Sequence, residues 1–481
     1  MKLSKALRNL EEIEKVRLED LEVKAVKINP TNVQKGDIFV CLKNGEEGRK
    51  LIEEARQKNP SVIVSEFEKS GKNQIVVKDA RKVFALIAKG LNDNICDKMK
   101  LIAVTGTNGK TTTTKILADI LKFAGEKVGT IGTLGSKFDS QTIDTGFTTP
   151  DPDILHGQLY LMAKKGIKYV VMEASAHAIE LRKLEGLKFE ASVLTNVTQD
   201  HLDFFGSMEN YFNAKAKLFT PHYTKNAIIC GDDIKCKALT QKLKIPYLTY
   251  GFDKNNDVAI KNFMQNGYGM SFVCQPFDKE IAIKSQIVGD YNAQNLLAAI
   301  LVARYLGVEE KIIQNAVKNI SPAEGRFNII PYKNSNIVID FAHTPDGLEK
   351  ILKSARKITK GKLICVFGCG GNRDNLKRPI MGKIASDLAD MVILTSDNPR
   401  FEKPEEILSQ IEKGVIGKYK KIVSRPEAIK FALNECNEGD TIVIAGKGAE
   451  KYQEINGVKH PYSDFDVVEK IIGGGKEKKW L

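Results

Sequence analysis

No stretch of this 481-residue chain is long and apolar enough to cross a bilayer as a helix. Its first residues, Met1-Lys2-Leu3-Ser4-Lys5, lead into a charged amphipathic segment and not into the apolar core of a secretory signal, so a cytoplasmic location is expected. Cysteines are few for a stapled protein: eight, at positions 41, 96, 230, 236, 274, 365, 369 and 436. The closest pair, Cys365 and Cys369, has no partner pair downstream, which argues against zinc and a disulfide framework and for reduced, mostly buried thiols. Net charge is +13, yet the lysines are dispersed and no basic stripe interleaved with aromatics is present, so nucleic acid is not an expected partner. The excess suits polyanionic small molecules such as nucleotides, although solvated helix faces account for most of it. There is no long internal repeat. What remains is a globular composition, 42% hydrophobic and 28% charged, in a chain long enough for about three domains.

The most informative stretch is Val104-Thr105-Gly106-Thr107-Asn108-Gly109-Lys110-Thr111-Thr112. An apolar run, Leu101-Ile102-Ala103-Val104, reads as a buried strand before it, and residues 113–121 carry apolar side chains at helical spacing after it. Strand, glycine turn and helix start in that order form a phosphate cradle: backbone N–H groups converge on phosphate oxygens and the helix dipole favours the anion. Lys110 then reaches the β/γ-phosphates and the Thr111 hydroxyl reaches Mg²⁺. The loop is shorter than the general phosphate-loop pattern, with Val104 where that pattern has glycine. The plainer reading is a glycine turn capping a helix beside an incidental lysine.

The fold class expected is α/β in three domains. Residues 1–98 read as a small N-terminal α/β domain, with a strand at Ile38–Leu42, a helix near Leu51–Gln57, a strand at Ser61–Val64 and a polar linker at Asn92–Lys98. Residues 99–326 read as a central, mainly parallel sheet with strands near 101–104, 168–172, 191–194 and 226–230. Residues 327–481 read as a Rossmann-like series with strands near 336–340, 362–367, 391–395 and 441–445 and glycine-rich turns at their ends. The tail from Gly473 to Lys479 is expected to fray.

Two loops add candidate chemistry. Glu173 follows the strand Tyr169–Met172 and is placed like an acid that holds Mg²⁺ beside a phosphate loop, or else is a surface glutamate in a βα loop. Asn196–Asp203 packs Asp200, His201 and Asp203 into one loop, where Asp200 serves as a helix cap or a site residue.

Taken together, Thr105–Thr112, Thr148-Thr149-Pro150, Met172–His177, Thr195–Asp203, Gly289–Asn295, Gly325-Arg326-Phe327 and Asp340–Asp346 resemble the Mur ligases. The blocks Val366–Asp374, Asp397-Asn398-Pro399-Arg400 and Gly446–Glu450 resemble the MurE branch in particular, and the likeness runs in order along essentially the whole chain. It implies ATP-dependent amide formation in peptidoglycan precursor synthesis. In that reaction meso-diaminopimelate joins the D-Glu γ-carboxylate of UDP-N-acetylmuramoyl-L-alanyl-D-glutamate through an acyl phosphate. ATP, Mg²⁺, the UDP-linked dipeptide and the diamino acid are the implied ligands, with no nucleic acid, no membrane insertion and a monomeric enzyme.

Residue roles follow by resemblance. Gly106, Thr107, Asn108, Gly109, Lys110, Thr111 and Thr112 would hold the ATP phosphates, Asn292 and Asn295 the adenine side, and Arg326 and Asp340 the interdomain ATP contacts. Thr111, Glu173, His201 and Lys215 match the metal region, Lys215 being the lysine that the family carbamylates; by residue type alone it is an ordinary helix-surface lysine. Thr148, Thr149, Ser175 and Lys183 fall where the UDP-sugar dipeptide is gripped. Arg373, Asp397, Asn398, Pro399, Arg400, Gly446 and Glu450 fall in the amino-acid site. Diaminopimelate exceeds lysine by one distal carboxylate, and Arg400 can take that group in a bidentate pair. L-lysine addition, a folylpolyglutamate-type ligase and a non-catalytic nucleotide-binding protein are the alternatives. The chain departs from the family pattern at Asn29-Pro30-Thr31, where Asp-Ser-Arg is usual, at Ala176, at Lys183 in place of arginine with Arg182 beside it, and at Ala449 in place of histidine.

Overall fold

The computed structural model describes residues 1–10, 21–67, 73–267, 269–276 and 279–473. The tail beyond Gly473 and residues 11–20 of the charged N-terminal segment lie outside the described residues.

The first sheet is fully parallel, with strands in the order Val26–Lys27, Ile38–Val40, Val62–Ser65 and Gln74–Val76. The helix Ala80–Leu91 covers it. Asp79 starts that helix by accepting the Lys82 N–H at 2.9 Å, and Val83, Phe84, Ile87 and Ala88 turn inward at helical spacing. The other helix, Gly45–Arg56, begins six residues before the expected Leu51. Its first turn is Gly-Glu-Glu-Gly, which carries no apolar marker but places two acids at the positive end of the helix dipole. The segment expected to be a linker is packed: Asp93 and Asn94 are left-handed, Ile95–Lys98 forms a 3₁₀ turn with Cys96 buried, and Lys89 reaches Asp97 at 2.7 Å.

The central sheet has nine strands. Their order is Val258–Ala259, Tyr247–Gly251, Thr224–Cys230, Phe189–Leu194, Lys100–Thr105, Tyr169–Glu173, Val128–Gly132, Gly135–Phe138 and Gln141–Ile143. The first seven are parallel, and the last two fold back as an antiparallel meander. Helices Lys110–Phe123 and Asp290–Tyr305 pack on one face. Helix Pro152–Lys164 contributes Leu155, Leu159 and Met162 to the core on the other. A small antiparallel sheet, Lys261–Asn266, Gly269–Cys274 and Ile281–Ser285, was not anticipated. Met270, Phe272 and Cys274 alternate inward with a period of two, but the polar first strand masks the pattern.

The third sheet runs in the order Asn328–Tyr332, Ser335–Asp340, Thr441–Ala445, Leu363–Phe367, Met391–Leu394 and Tyr419–Lys421. Only the first pairing is antiparallel. Apolar cores lie on both faces, as a doubly covered parallel sheet requires. The loops that carry the candidate site residues leave the C-terminal ends of strands in this sheet and in the central one, where parallel sheets bind ligands.

Candidate active site

The phosphate loop joins the strand Lys100–Thr105 to the helix Lys110–Phe123. Gly109, at φ +90°, has no room for a side chain, because a Cβ there would lie 2.4 Å from Asn295 Oδ1. The neighbouring strand end fixes the loop. Asn196 Oδ1 accepts the Asn108 N–H at 2.9 Å, while Thr195 Oγ1 and Asn196 Nδ2 donate to the Asn108 carbonyl at 2.6 and 3.0 Å. Thr107 Oγ1 donates to the Thr198 carbonyl at 3.1 Å. Thr112 is buried at the helix start.

Lys110 folds back so that Nζ donates to the carbonyls of Gly106 (2.9 Å) and Thr107 (2.8 Å). Lys215 reaches the same Gly106 oxygen at 3.0 Å. It is 1% exposed and its ammonium lies 4.4 Å from the centre of the Tyr211 ring, so it is not a helix-surface lysine. Burial, and then the charge of Lys110, push its pKa well below the usual lysine value.

Glu173 closes its strand and is 2% exposed, which removes the surface-glutamate reading. Both of its oxygens accept from Thr111 Oγ1 at 3.0 Å, and Thr133 adds its N–H (2.9 Å) and its hydroxyl (3.1 Å). Thr111 and Glu173 thus offer adjacent hard oxygen donors at the phosphate end of the helix. Among the described residues no three His, Cys, Asp or Glu side chains gather into a metal cage. A Mg²⁺ that takes most of its ligands from phosphates and water needs no such cage.

Asp200 is buried and is not the helix cap; His201, at φ +55°, occupies that position before Leu202–Phe205. Burial alone would raise the Asp200 carboxyl, but His343, Lys377 and His201 around it hold it well below the usual range. Asp200 Oδ2 lies 3.3 Å from His201 Nε2 and 3.7 Å from His343 Nε2, and Oδ1 lies 3.7 Å from Lys377 Nζ. His201 stacks edge-on against His177 at 4.7 Å. His343 and Lys377 come from the third unit, so this loop is a junction. Asn108 Nδ2 also crosses it, donating to Asp346 Oδ2 at 2.9 Å, and Gln199 Nε2 donates to Asp374 Oδ2 at 3.0 Å.

The other candidates surround this centre. Asn292 Nδ2 donates to the Val288 carbonyl, Asn295 Nδ2 donates to Asn292 Oδ1, and Asn295 Oδ1 faces Thr113. Arg326 lies over the Phe341 ring at 4.3 Å and donates through Nη2 to Thr111 Oγ1 at 3.2 Å. Asp340 accepts the N–H groups of Phe327 and Ala342, both at 2.7 Å, and its burial raises its pKa. Thr148 meets Thr133 through their hydroxyls at 3.1 Å, and Thr149 Oγ1 donates to the Glu173 carbonyl and accepts the Ser175 N–H. Lys183 pairs with Asp151 at 2.7 Å and covers Phe147.

In the third unit, Arg400 is left-handed at φ +52°. Its Nε donates to Glu454 Oε2 at 3.1 Å and its Nη1 to the Gly371 carbonyl at 2.9 Å, holding two edges of the guanidinium. Pro399 accepts the Glu402 N–H behind it. Asp397 is buried with Oδ2 unpartnered, 2.6 Å from where a Cβ would stand on Gly446, whose φ is +118°. Asn398 Nδ2 donates to Glu450 Oε2 at 3.0 Å. Arg373 is exposed and donates to the Asn372 carbonyl, and its side chain flanks Gly370 together with Arg400. Thr133, His343, Lys377 and Lys447 were not singled out from the sequence. Lys447 and His343 sit inside recognised motifs, which is the signal that could have flagged them; Thr133 carries none.

A phosphate-loop sheet and a Rossmann-like sheet, joined across a junction of acids, histidines and lysines, define an α/β protein with a phosphate-binding type of loop where its units meet. Residues 104–303 match the Mur ligase middle domain, and residues 325–448 match the Mur ligase, glutamate ligase domain. The chain belongs to the Mur ligase family. A UDP-N-acetylmuramoyl-L-alanyl-D-glutamate--2,6-diaminopimelate ligase of Aquifex aeolicus is 42% identical over 456 residues, 94% of each chain. A ligase of the same name from Clostridium tetani is 38% identical over 98% of this chain and 99% of its own. A solved structure carrying that name superposes with a TM-score of 0.72 at 32% identity, covering 98% and 99% of the two chains.

Proposed function

We propose that this protein is an ATP-dependent ligase that adds meso-2,6-diaminopimelate to the D-Glu γ-carboxylate of UDP-N-acetylmuramoyl-L-alanyl-D-glutamate, with release of ADP and phosphate. The observation that carries the reading is the near full-length likeness to relatives of that name, which embraces both the phosphate loop and the Arg400 loop. Residues 1–98 bind the UDP end of the substrate, 99–326 bind ATP, and 327–481 bind the amino acid. The enzyme works as a monomer in the cytoplasm.

A carboxylate is a poor electrophile, so it must first be activated. Its oxygen attacks the γ-phosphorus of ATP, ADP leaves, and an acyl phosphate forms. The amine of diaminopimelate then attacks the carbonyl carbon, phosphate leaves with the bonding pair, and the nitrogen loses a proton. The protein contributes alignment and charge neutralisation. Gly106–Thr112 wraps the phosphates, Lys110 turns from its two carbonyls to the γ-phosphate, and Arg326, which reaches Thr111, adds a second positive charge. Asn292, Asn295 and Asp340 hold the nucleoside. Thr148, Thr149, Ser175 and Lys183 orient the dipeptide so that its carboxylate meets the γ-phosphate and not water. Thr111, Glu173, His201 and Lys215, the last as its carbamate, would hold Mg²⁺, and the ion would supply charge neutralisation for the transferred phosphoryl group. Arg373, Arg400 and the Asp397–Asn398–Glu450 group receive the carboxylates and distal ammonium of the diamino acid.

The reading is tested by phosphate release from ATP in the presence of the UDP-linked dipeptide, with meso-diaminopimelate, L-lysine or no amino acid. Release dependent on diaminopimelate supports it. Release independent of any acceptor rules it out, and lysine dependence replaces the amino acid.

A further inference from the structure

Lys447 lies between residues assigned to the amino-acid site, yet it is 0% exposed and so touches no ligand itself. Its ammonium donates to Asn398 Oδ1 at 2.9 Å and to Glu450 Oε2 at 2.8 Å. Asn398 Oδ1 also accepts the Glu454 N–H at 2.9 Å, so two donors fix which end of the carboxamide is oxygen. The Asn398 NH₂ must then face Glu450 Oε2, and it donates there at 3.0 Å. Lysine, carboxamide and carboxylate close a triangle that leaves Glu450 Oε1 outside it. Glu454, whose N–H completes the arrangement, carries the carboxylate that holds Arg400. One buried cation therefore stands behind three side chains of the amino-acid site. The backbone keeps it there: Gly446 and Gly448 have φ of +118° and +53°, and a Cβ on Gly448 would meet the Gly325 carbonyl at 2.7 Å.

We infer that Lys447 is a positioning residue for the added amino acid: its ammonium locks the Asn398 carboxamide and the Glu450 carboxylate into the one orientation that receives a cationic amine, and it has no part in phosphoryl transfer. Without it, the carboxamide oxygen keeps only the Glu454 N–H, which loosens its orientation, and Glu450 Oε2 keeps only the Asn398 NH₂ of its two donors. The buried Asp397 carboxylate, with Oδ2 unpartnered beside Gly446, sits in the same field and loses a neighbouring cation. The effect falls on binding of the diamino acid alone, because the phosphate loop and Glu173 make none of these contacts. The inference rests on the function proposed above.

The test is steady-state kinetics of the full chain with each of the three substrates varied in turn. Lys447→Met, of similar length and without charge, is expected to raise KM for meso-diaminopimelate about ten-fold or more. KM for ATP and for the UDP-linked dipeptide should stay within about two-fold of the parent, as expected for a loss confined to one ligand. Lys447→Gln keeps a donor for both partners and should recover part of the loss; it carries the same comparison if the methionine variant does not fold. In an Glu450→Gln background the added cost of Lys447→Met should shrink, since the two act as one unit. An unchanged diaminopimelate KM, or equal damage to all three KM values, overturns the inference. Failure of the parent enzyme to respond to diaminopimelate at all refutes the proposed function instead, so the two failures are distinct.

Discussion

Lys110 and Lys215 donate to one oxygen, the carbonyl of Gly106, at 2.9 and 3.0 Å. Two ammonium groups on a single acceptor repel each other: burial lowers the pKa of both, and that of Lys215, with Lys110 adding to the fall, goes well below the usual lysine value. A neutral amine is the form that attacks CO₂, and the resulting carbamate is an anion. Carbamylation would therefore turn a repulsive pair into an attractive one and supply a hard oxygen ligand where Glu173 already offers one.

Lys215→Ala is accordingly expected to lower kcat by on the order of a hundred-fold, as loss of a charge-stabilising group does. Millimolar acetate or propionate, entering the space left by the side chain, should restore part of the rate, whereas propylamine should not. Rescue by the amine and not by the acid would show that the cation, and not its carbamate, is the working form.

Glu173 holds Thr111 and Thr133 through four contacts between 2.9 and 3.1 Å. Glu173→Gln keeps the size but replaces one acceptor with a donor and removes the charge. The Mg²⁺ concentration for half-maximal activity is expected to rise about ten-fold or more, with kcat reduced even at saturation. A magnesium titration of phosphate release checks this; an unchanged midpoint would remove Glu173 from the metal site.

Arg400 is held by Glu454 and Gly371 in a fixed pose, so its role is open to a selectivity measurement. Charge-assisted hydrogen bonds contribute about 1.5–3 kcal/mol, so Arg400→Ala should cost roughly 10- to 150-fold in kcat/KM for meso-diaminopimelate. Lysine lacks the distal carboxylate, so kcat/KM for lysine should hardly change. Equal losses for both amino acids would mean that Arg400 supports the loop and does not read the substrate.

The parts of this site legible in the sequence are those whose chemistry is local. The Gly106–Thr112 turn, with a buried strand before it and a helix after it, announces itself because strand, turn and helix must be consecutive to make a phosphate cradle. Glu173 was placed by its position at a strand end. Residues that gain meaning only from long-range packing were silent. Thr133 lies in the turn of a meander and reaches Glu173 across 40 residues. Lys215 was named by resemblance alone: its local sequence is that of a helix-surface lysine, and only the fold buries it beneath the phosphate loop. The antiparallel sheet at 261–285 was hidden for a related reason: its first strand is polar, and its apolar face exists only against the core beside it. The Asn92–Lys98 segment, read as a linker from its polarity, is packed because Cys96 and the 3₁₀ turn close on the helix Pro152–Lys164.

His156 gives a prediction independent of function. It lies on the helix Pro152–Lys164, is 1% exposed, and its Nε2 is unpartnered among the described residues. Burial, with a smaller push from Lys89, lowers its pKa to about 3 from an ordinary 6.5. The unfolded chain therefore takes up a proton below pH 6.5 that the folded protein refuses until about pH 3, so stability is lost as the pH falls through that window and is retained above it. At pH 5 this single group costs about 2 kcal/mol relative to pH 7. His156→Leu keeps an apolar side chain in the same core and removes the titration. Its urea midpoint should fall less between pH 7 and pH 5 than that of the parent, by the equivalent of about 2 kcal/mol. Parallel pH dependence in the two proteins would show that His156 is protonated in the folded state and that some other group sets the acid limit.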